Sequence, residues 1–215
     1  MAVGQMTCLK DLVSGVLSGV MISIGGSVFL ATDNKIAGAI LFCVALLCIC
    51  LRGYSLFTGK VGFIPKDHSK AAVSALLLGL LGNLLGTVAC GYLMRLANMP
   101  FCETAVTVCN GKLAQSVFSC LVRAMFCGVL MYMAVSIFRE KKSVLGILFC
   151  IPVFIMSGFE HSVADMYYFA ASGIVSMKAF GYLWLVIAGN AVGAMVMCLG
   201  EMLCEKTKED GNAKQ

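Results

Sequence analysis

The sequence predicts an all-α integral membrane domain of six spanning helices, arranged as two inverted three-helix repeats. Three observations carry this expectation. Of 215 residues, 60% are hydrophobic and 13% charged, whereas a soluble domain is roughly half apolar and about a quarter charged. The apolar residues fall in six long runs, near 11–31, 36–58, 70–97, 112–138, 144–174 and 180–204. Each is on the scale of the ~20 residues that cross a bilayer as helix. The pattern Gly-Asn-x-x-Gly also occurs twice, as Gly82-Asn83-Leu84-Leu85-Gly86 in the third run and Gly189-Asn190-Ala191-Val192-Gly193 in the sixth.

The first run, from Leu12 to Ala31, is longer than the ~7–15 apolar residues of a signal-peptide core and reads as a span. With the amino end inside, the inner segments hold Lys10, Lys60, Lys66, Lys70, Arg139, Lys141, Lys142, Lys206, Lys208 and Lys214. The outer segments hold Lys35, Arg95, Lys112 and Lys178. Ten basic residues against four satisfies the positive-inside rule, so both termini are expected in the cytoplasm of a multi-pass protein of the cell (inner or plasma) membrane. Residues 1–204 form one transmembrane channel domain on this reading. The polar tail 205–215 reads as disordered.

The second run is clean from Ile36 to Leu51 and then meets Arg52-Gly53-Tyr54-Ser55-Leu56-Phe57-Thr58-Gly59-Lys60. The fifth is clean from Val144 to Met156, meets Ser157-Gly158-Phe159-Glu160-His161-Ser162, and resumes at Val163. Sixteen helical residues reach only about 24 Å, short of a full crossing, so both read as broken helices. Three spans per half is an odd number, which inverts one half relative to the other. Inverted repeats with paired interruptions place a transport pathway at the breaks.

Polar groups in hydrocarbon are costly and mark function by default. His161 is the sole histidine in a span and lies in the second interruption. It reads as a proton donor or dipole that couples proton and anion. Thr58 stands as its counterpart in the first interruption, able to orient His161 or bind substrate. Asn83 and Asn190 are expected to bond the backbone freed by the breaks, and the glycines beside them to let helices pack closely. Arg123 and Glu160 read as partners of each other or of loop carbonyls, and Arg52 as a tie for the first loop. Lys112 reads as the outer start of the fourth span, either an interfacial anchor or a charge that attracts anions. The twelve cysteines contain no Cys-x-x-Cys pair and read as small hydrophobes. Cys102 and Cys109 share a loop in which oxidation could pair them. No metal or cofactor site is expected.

Gly158-Phe159-Glu160-His161-Ser162-Val163-Ala164-Asp165-Met166 resembles the signature G-F-E-H-S-x-A-N-M of the formate/nitrite transporter family. Leu56-Phe57-Thr58 resembles the family's L-F-T, Gly189-Asn190 its sixth-helix motif, and Lys112 ahead of Arg123 its vestibule lysine. The resemblance covers about residues 5 to 204. It implies an aquaporin-like protomer in a homopentamer, one pore per protomer, and as substrate a small anion or weak acid (formate, nitrite or hydrosulfide class) with protons. It implies a central His161 between two apolar rings: Leu46 and Phe57, with Leu56 near them, on the cytoplasmic side, and Phe154 on the outer side. Two departures stand out: Gly128 where formate-type members carry a fourth-helix Asn, and Asp165 in place of the signature Asn.

A channel or proton-coupled transporter is thus the leading expectation, with the lipid bilayer as surroundings and no nucleic-acid partner. An aquaporin-like channel for small neutral solutes is the alternative. It calls for Asn-Pro-Ala motifs, and none of Pro65, Pro100 and Pro152 follows an Asn. A membrane enzyme calls for clustered ligands or catalytic groups, which the sequence lacks.

Overall fold

The computed structural model describes the backbone of residues 2–212 and the side chains of residues 6–207. The described residues are helical throughout, without strands. In chain order the helices are α1 (Ala2–Ala31), α2 (Lys35–Arg52), the single turn α3 (Phe57–Lys60), α4 (Lys70–Leu96), α5 (Phe101–Leu113), α6 (Val117–Lys141), α7 (Leu145–Met156), α8 (Ser162–Ser172) and α9 (Met177–Asn212). Within them, five helices are long and apolar enough to cross a membrane: Met6–Ala31, Lys35–Arg52, Lys70–Leu96, Val117–Lys141 and Met177–Thr207. The half-helices α7 and α8 together occupy the fifth apolar run of the sequence.

Polarity runs inside out relative to a water-soluble protein. Leu41, Leu77, Phe118 and Phe149 lie on the outer surface, while Ser18, Thr58, Asn83, Glu160, His161, Asp165 and Asn190 are buried. Water would penalise such a surface; lipid chains accept it. The protein is therefore a multi-pass membrane protein.

Local chemistry sets the helix ends. The Asn34 side chain accepts from the N–H groups of Ile36 and Ala37 at the start of α2, and Ser69 and Ser116 cap α4 and α6. Gly53, at φ 69°, turns the chain out of α2, and Gly173, at φ 70°, ends α8. Only glycine enters this left-handed region without strain.

The most extensive pairings are α1 with α4 and α6 with α9. Here the repeated motif acts through backbone contact. A Cβ on Gly86 would sit 2.4 Å from the Val16 carbonyl oxygen, and one on Gly193 would sit 1.9 Å from that of Met125. Between the glycines of each motif an asparagine holds a break. The Asn83 side chain accepts from the Phe57 N–H (2.9 Å) and donates to the carbonyls of Gly15 (2.9 Å) and Ser55 (2.8 Å). Asn190 accepts from the Ser162 N–H (2.9 Å) and donates to Ala124 (2.8 Å) and Glu160 (2.8 Å). The two sets of bonds match group for group, as inverted repeats require.

This register corrects one expectation. Ser55 corresponds to Glu160 and Phe57 to Ser162, so His161 is matched by Leu56 and not by Thr58. Leu56 and His161 both sit in extended backbone just before a helix, at φ −97°, ψ 124° and φ −109°, ψ 110°. Thr58 lies one position inside α3 and reaches His161 across the interface.

Four other expectations change. The fourth apolar run does not begin at Lys112. That residue ends α5, a separate helix, and α6 starts at Val117 after the Ser116 cap. Cys102 and Cys109 lie on α5 two turns apart, a rise of about 10.5 Å that exceeds the ~7 Å a disulfide spans; both are free thiols. Arg52 is exposed and makes no described hydrogen bond or ion pair with the first break, which Asn83 and the Ser55 N–H···O bond to Ser14 hold instead. The last helix continues to Asn212, so the backbone of 205–212 is helical where composition predicts disorder; residues 213–215 lie outside the described residues.

Asn190→Ala is expected to destabilise the protein by ~3 kcal/mol or more, because three buried backbone groups lose their partner at about 1–3 kcal/mol each. Thermal unfolding in detergent, followed by Trp184 fluorescence, checks this. A variant that melts at the wild-type temperature would mean that the clamp is not what holds the break.

Candidate functional site

His161 is the residue just before α8, and its ring does two jobs. Nδ1 accepts from the Ala164 N–H at 3.1 Å, capping the helix. Nε2 lies 2.8 Å from Thr58 Oγ1. The hydrogen-bond network assigns the tautomer: Nδ1 uses its lone pair on Ala164, so the proton of the neutral ring is on Nε2. Nε2–H then donates to Thr58, whose own hydroxyl proton is left to donate elsewhere. The imidazole also stacks on Phe154, centroids 5.6 Å apart and planes 21° apart, and Phe42 meets Phe154 edge-on at 6.3 Å and 89°. His161 itself is 2% exposed.

A second polar cluster lies beside this ring. The break supplies Glu160, α8 supplies Asp165, and α5 supplies Lys112. Lys112 Nζ is ion-paired to Glu160 and to Asp165 (2.9 Å). It also lies 5.8 Å from the centroid of Tyr168. Gln115 donates to the other Glu160 oxygen at 2.6 Å. The side chains are 14%, 3% and 1% exposed for Lys112, Glu160 and Asp165, so each charge depends on the others. The side chains of Glu160 and Arg123 are therefore not ion-paired, although the Glu160 N–H donates to the Arg123 carbonyl at 3.4 Å. Arg123 donates to the Gly158 carbonyl (3.2 Å), the loop-carbonyl alternative left open by the sequence.

Two cavities approach the histidine. One, of about 450 Å³, is lined by Lys112, Arg123, Glu160, Asp165, Phe42, Phe154 and His161 itself. The other, of about 250 Å³, is lined by Leu46, Leu56, Tyr54, Lys60, Arg139 and Lys142. They touch α2 at Phe42 and at Leu46, one turn or about 6 Å apart. The second cavity opens on the side of the chain termini, where Lys10 and Asp11 of α1 act on Lys60.

The structure thus brings His161, Thr58 and Phe154 into contact and sets Leu46 and Leu56 on the wall of the terminal-side cavity. Phe57 is 5% exposed and lines neither cavity. Asn83 and Asn190 also line neither; they are wholly buried clamps. Lys112 does face the outer cavity, but as the centre of an ion-paired cluster. Gly128 lines neither of these two cavities. A Cβ there would sit 2.2 Å from the Asn190 carbonyl oxygen, so this residue is a close contact between α6 and α9 and not the place of a pore-side amide. Sequence reasoning missed Phe42, which stands in an unbroken apolar run, and the roles of Asp165 and Gln115 as partners in the Lys112 cluster. The ion pairs join residues 48 and 53 positions apart, and no local pattern announces them.

Lys112→Met is expected to cost ~3–5 kcal/mol, the range for removing one partner of a buried ion pair. Asp165→Asn leaves Lys112 paired with Glu160 and is expected to stay within about 1 kcal/mol of the parent. Thermal unfolding of both variants in detergent makes the comparison. Equal stability of Lys112→Met and the parent would mean that the carboxylates are hydrated and independent of the lysine.

The family model described as Formate/nitrite transporter matches residues 2–202. The chain is 29% identical to the uncharacterized transporter YrhG of Bacillus subtilis (strain 168), over 76% of this chain and 65% of that protein. It is 29% identical to formate-nitrite transporter 2 of Toxoplasma gondii, over 77% of this chain and 40% of that one, and 26% identical to the nitrite transporter NirC of Escherichia coli (strain K12), over 74% and 67%. It therefore spans less than two thirds of the length of the first two. In fold it is similar to a pentameric formate channel with formate bound, at a TM-score of 0.79 and 19% identity over 94% of this chain and 98% of that one. With a family model matched across nearly its whole length, the chain belongs to the formate/nitrite transporter family.

Proposed function

We propose that this protein passes small monovalent anions and their conjugate acids across a membrane, through a path that runs between the two cavities past His161. The observation that carries the reading is the His161–Thr58 hydrogen bond, 2.8 Å long and buried, at the point where the cavities come within one helical turn of each other. A buried polar pair at the base of an outer cavity, with Phe154 stacked on the histidine, marks a functional site by default. It suits a solute that must be desolvated and still find a hydrogen-bond partner. NirC is a nitrite transporter by name and the structural neighbour holds formate; both support the substrate class. A channel for neutral solutes and a membrane enzyme are not favoured by these relatives.

The steps follow from charge and solvation. A bare anion cannot cheaply enter an apolar constriction, whereas its neutral acid can. The outer apolar wall is Phe154 with Phe42, and the inner one is Leu46 and Leu56 with Phe57 behind them. Between the walls the Thr58 hydroxyl, polarised by Nε2–H of His161, donates to the solute. The start of α8 adds the partial positive charge of a helix N-terminus. Protonation at Nδ1 would first have to release the Ala164 N–H, which ties the proton content of His161 to the start of α8. Lys112 keeps Glu160 and Asp165 compact at the outer mouth. In this reading the α2–α3 and α7–α8 pairs are the two broken crossings among six, both termini face the cytoplasm of the cell membrane, and each protomer of a homopentamer has its own pore.

Two measurements test this. In liposomes loaded for formate, nitrite or hydrosulfide uptake, His161→Asn is expected to fold, since Asn is a good helix cap. It should lose the wild-type pH dependence and pass several-fold more current per solute carried. Superimposable pH profiles would remove His161 from the transport step and leave it a helix cap. Native mass measurement in detergent is expected to give five copies; a stable monomer or dimer would reject the pentamer.

A further inference from the structure

The two mouths differ in charge. At the outer mouth two cations, Lys112 and Arg123, face two carboxylates, Glu160 and Asp165. At the terminal-side mouth Lys60, Arg139 and Lys142 line one cavity and no carboxylate lines it. None of these three is ion-paired among the described residues, since both described ion pairs belong to Lys112. The acidic residues around them form no ion pair with them: Glu140 accepts from Ser136 at 3.0 Å, and Asp11 acts on Lys60 only through space, against Arg139 and Lys10.

Two of the cations are also held in place. Lys60 Nζ donates to Ser55 Oγ at 3.1 Å, and so is fixed to the first break. The Arg139 guanidinium lies over Phe63, 4.2 Å from the ring centroid. Lys142 closes α6 at φ 53°, a left-handed conformation uncommon outside glycine. A helix C-terminus favours a nearby cation, which accounts for Arg139 and Lys142 at the end of α6. It does not account for a half-buried Lys60 from another element converging on the same space.

We propose that this cavity is a binding site for a free tetrahedral dianion, phosphate or sulfate, which occupies the terminal-side mouth and blocks it without passing. Three cations lining one cavity favour a doubly charged ligand over a singly charged one. The volume of about 250 Å³ lies below the ~300–1,000 Å³ of pockets for drug-sized ligands, which suits a small ion. The wall of Leu46 and Leu56 behind it rejects the ligand, because the cost of removing an ion from water rises with the square of its charge. A monovalent solute would compete for the same place and then move on. The site would make outward flux respond to the inorganic dianion concentration on the terminal side.

The blocking role rests on the proposed transport function; the binding does not, and the two are tested apart. The full chain in neutral detergent is melted in sodium sulfate and in sodium chloride at equal ionic strength. Sulfate is expected to raise the midpoint in a saturable way. Lys60→Gln with Arg139→Gln should weaken the apparent affinity about tenfold or more, while Lys70→Gln, outside the cavity, leaves it unchanged. Equal midpoints in the two salts, or an unshifted response in the double variant, would overturn the site. A rise produced by added anionic phospholipid and not by sulfate would assign the cavity to a lipid headgroup and overturn the free-ion reading. In liposomes of zwitterionic lipid, sulfate on the terminal side is expected to inhibit formate flux several-fold more strongly than on the other side. Equal inhibition from both sides, with the melting response intact, would keep the site and reject the block. Absence of formate flux with that response intact would count against the transport reading alone.

Discussion

Every polar feature of this protein depends on how two interrupted helices are satisfied in a medium without water. A helix that stops inside hydrocarbon leaves N–H and C=O groups that lipid cannot bond. Asn83 and Asn190 solve this twice in the same way. Each amide accepts one N–H and donates to two carbonyls, and each is flanked by glycines that bring the neighbouring backbone within reach. With the breaks held, the chain can present side chains at mid-depth that an unbroken helix would have pointed into its neighbours. The extended residue at each break, Leu56 in one half and His161 in the other, is placed by this arrangement.

The two halves then diverge in chemistry. Leu56 closes one side with an apolar wall. His161 uses one ring nitrogen to start α8 and turns the other to Thr58 of the opposite half. One side chain thus couples helix geometry to the hydrogen-bonding group at the centre of the proposed path. The substitution of Asp for Asn at 165 has a clear local consequence: Lys112 faces two carboxylates instead of one, so its charge is spent within the cluster. Charge free to meet an incoming anion is concentrated at the other mouth, on Lys60, Arg139 and Lys142. The electrostatics of the two entrances are therefore unlike even though the backbone is built from matched repeats.

Composition and run length by themselves determined that the chain is a helical membrane protein, because the bilayer demands long apolar helices and tolerates little else. The same demand made the breaks legible: Gly53 and the Ser157–Ser162 stretch could not continue a spanning helix. It also made Asn83 and Asn190 recognisable as backbone partners, and His161 as a group with a function. The helix α5 was not legible as a separate element, since Glu103, Thr104, Thr107, Asn110, Gly111 and Lys112 interrupt its apolar residues and most of the stretch reads as a loop between spans. What the tertiary structure alone decided is which distant side chains meet. Thr58 reaches His161 across 103 positions, Phe42 joins Phe154, Lys112 takes Glu160 and Asp165 where opposite charge had offered Arg123 to Glu160, and Gly128 packs on a carbonyl. Such pairings follow from how helices cross and rotate about their axes. That is set by contacts between side chains far apart in the chain, and hydrophobic run length carries no record of it.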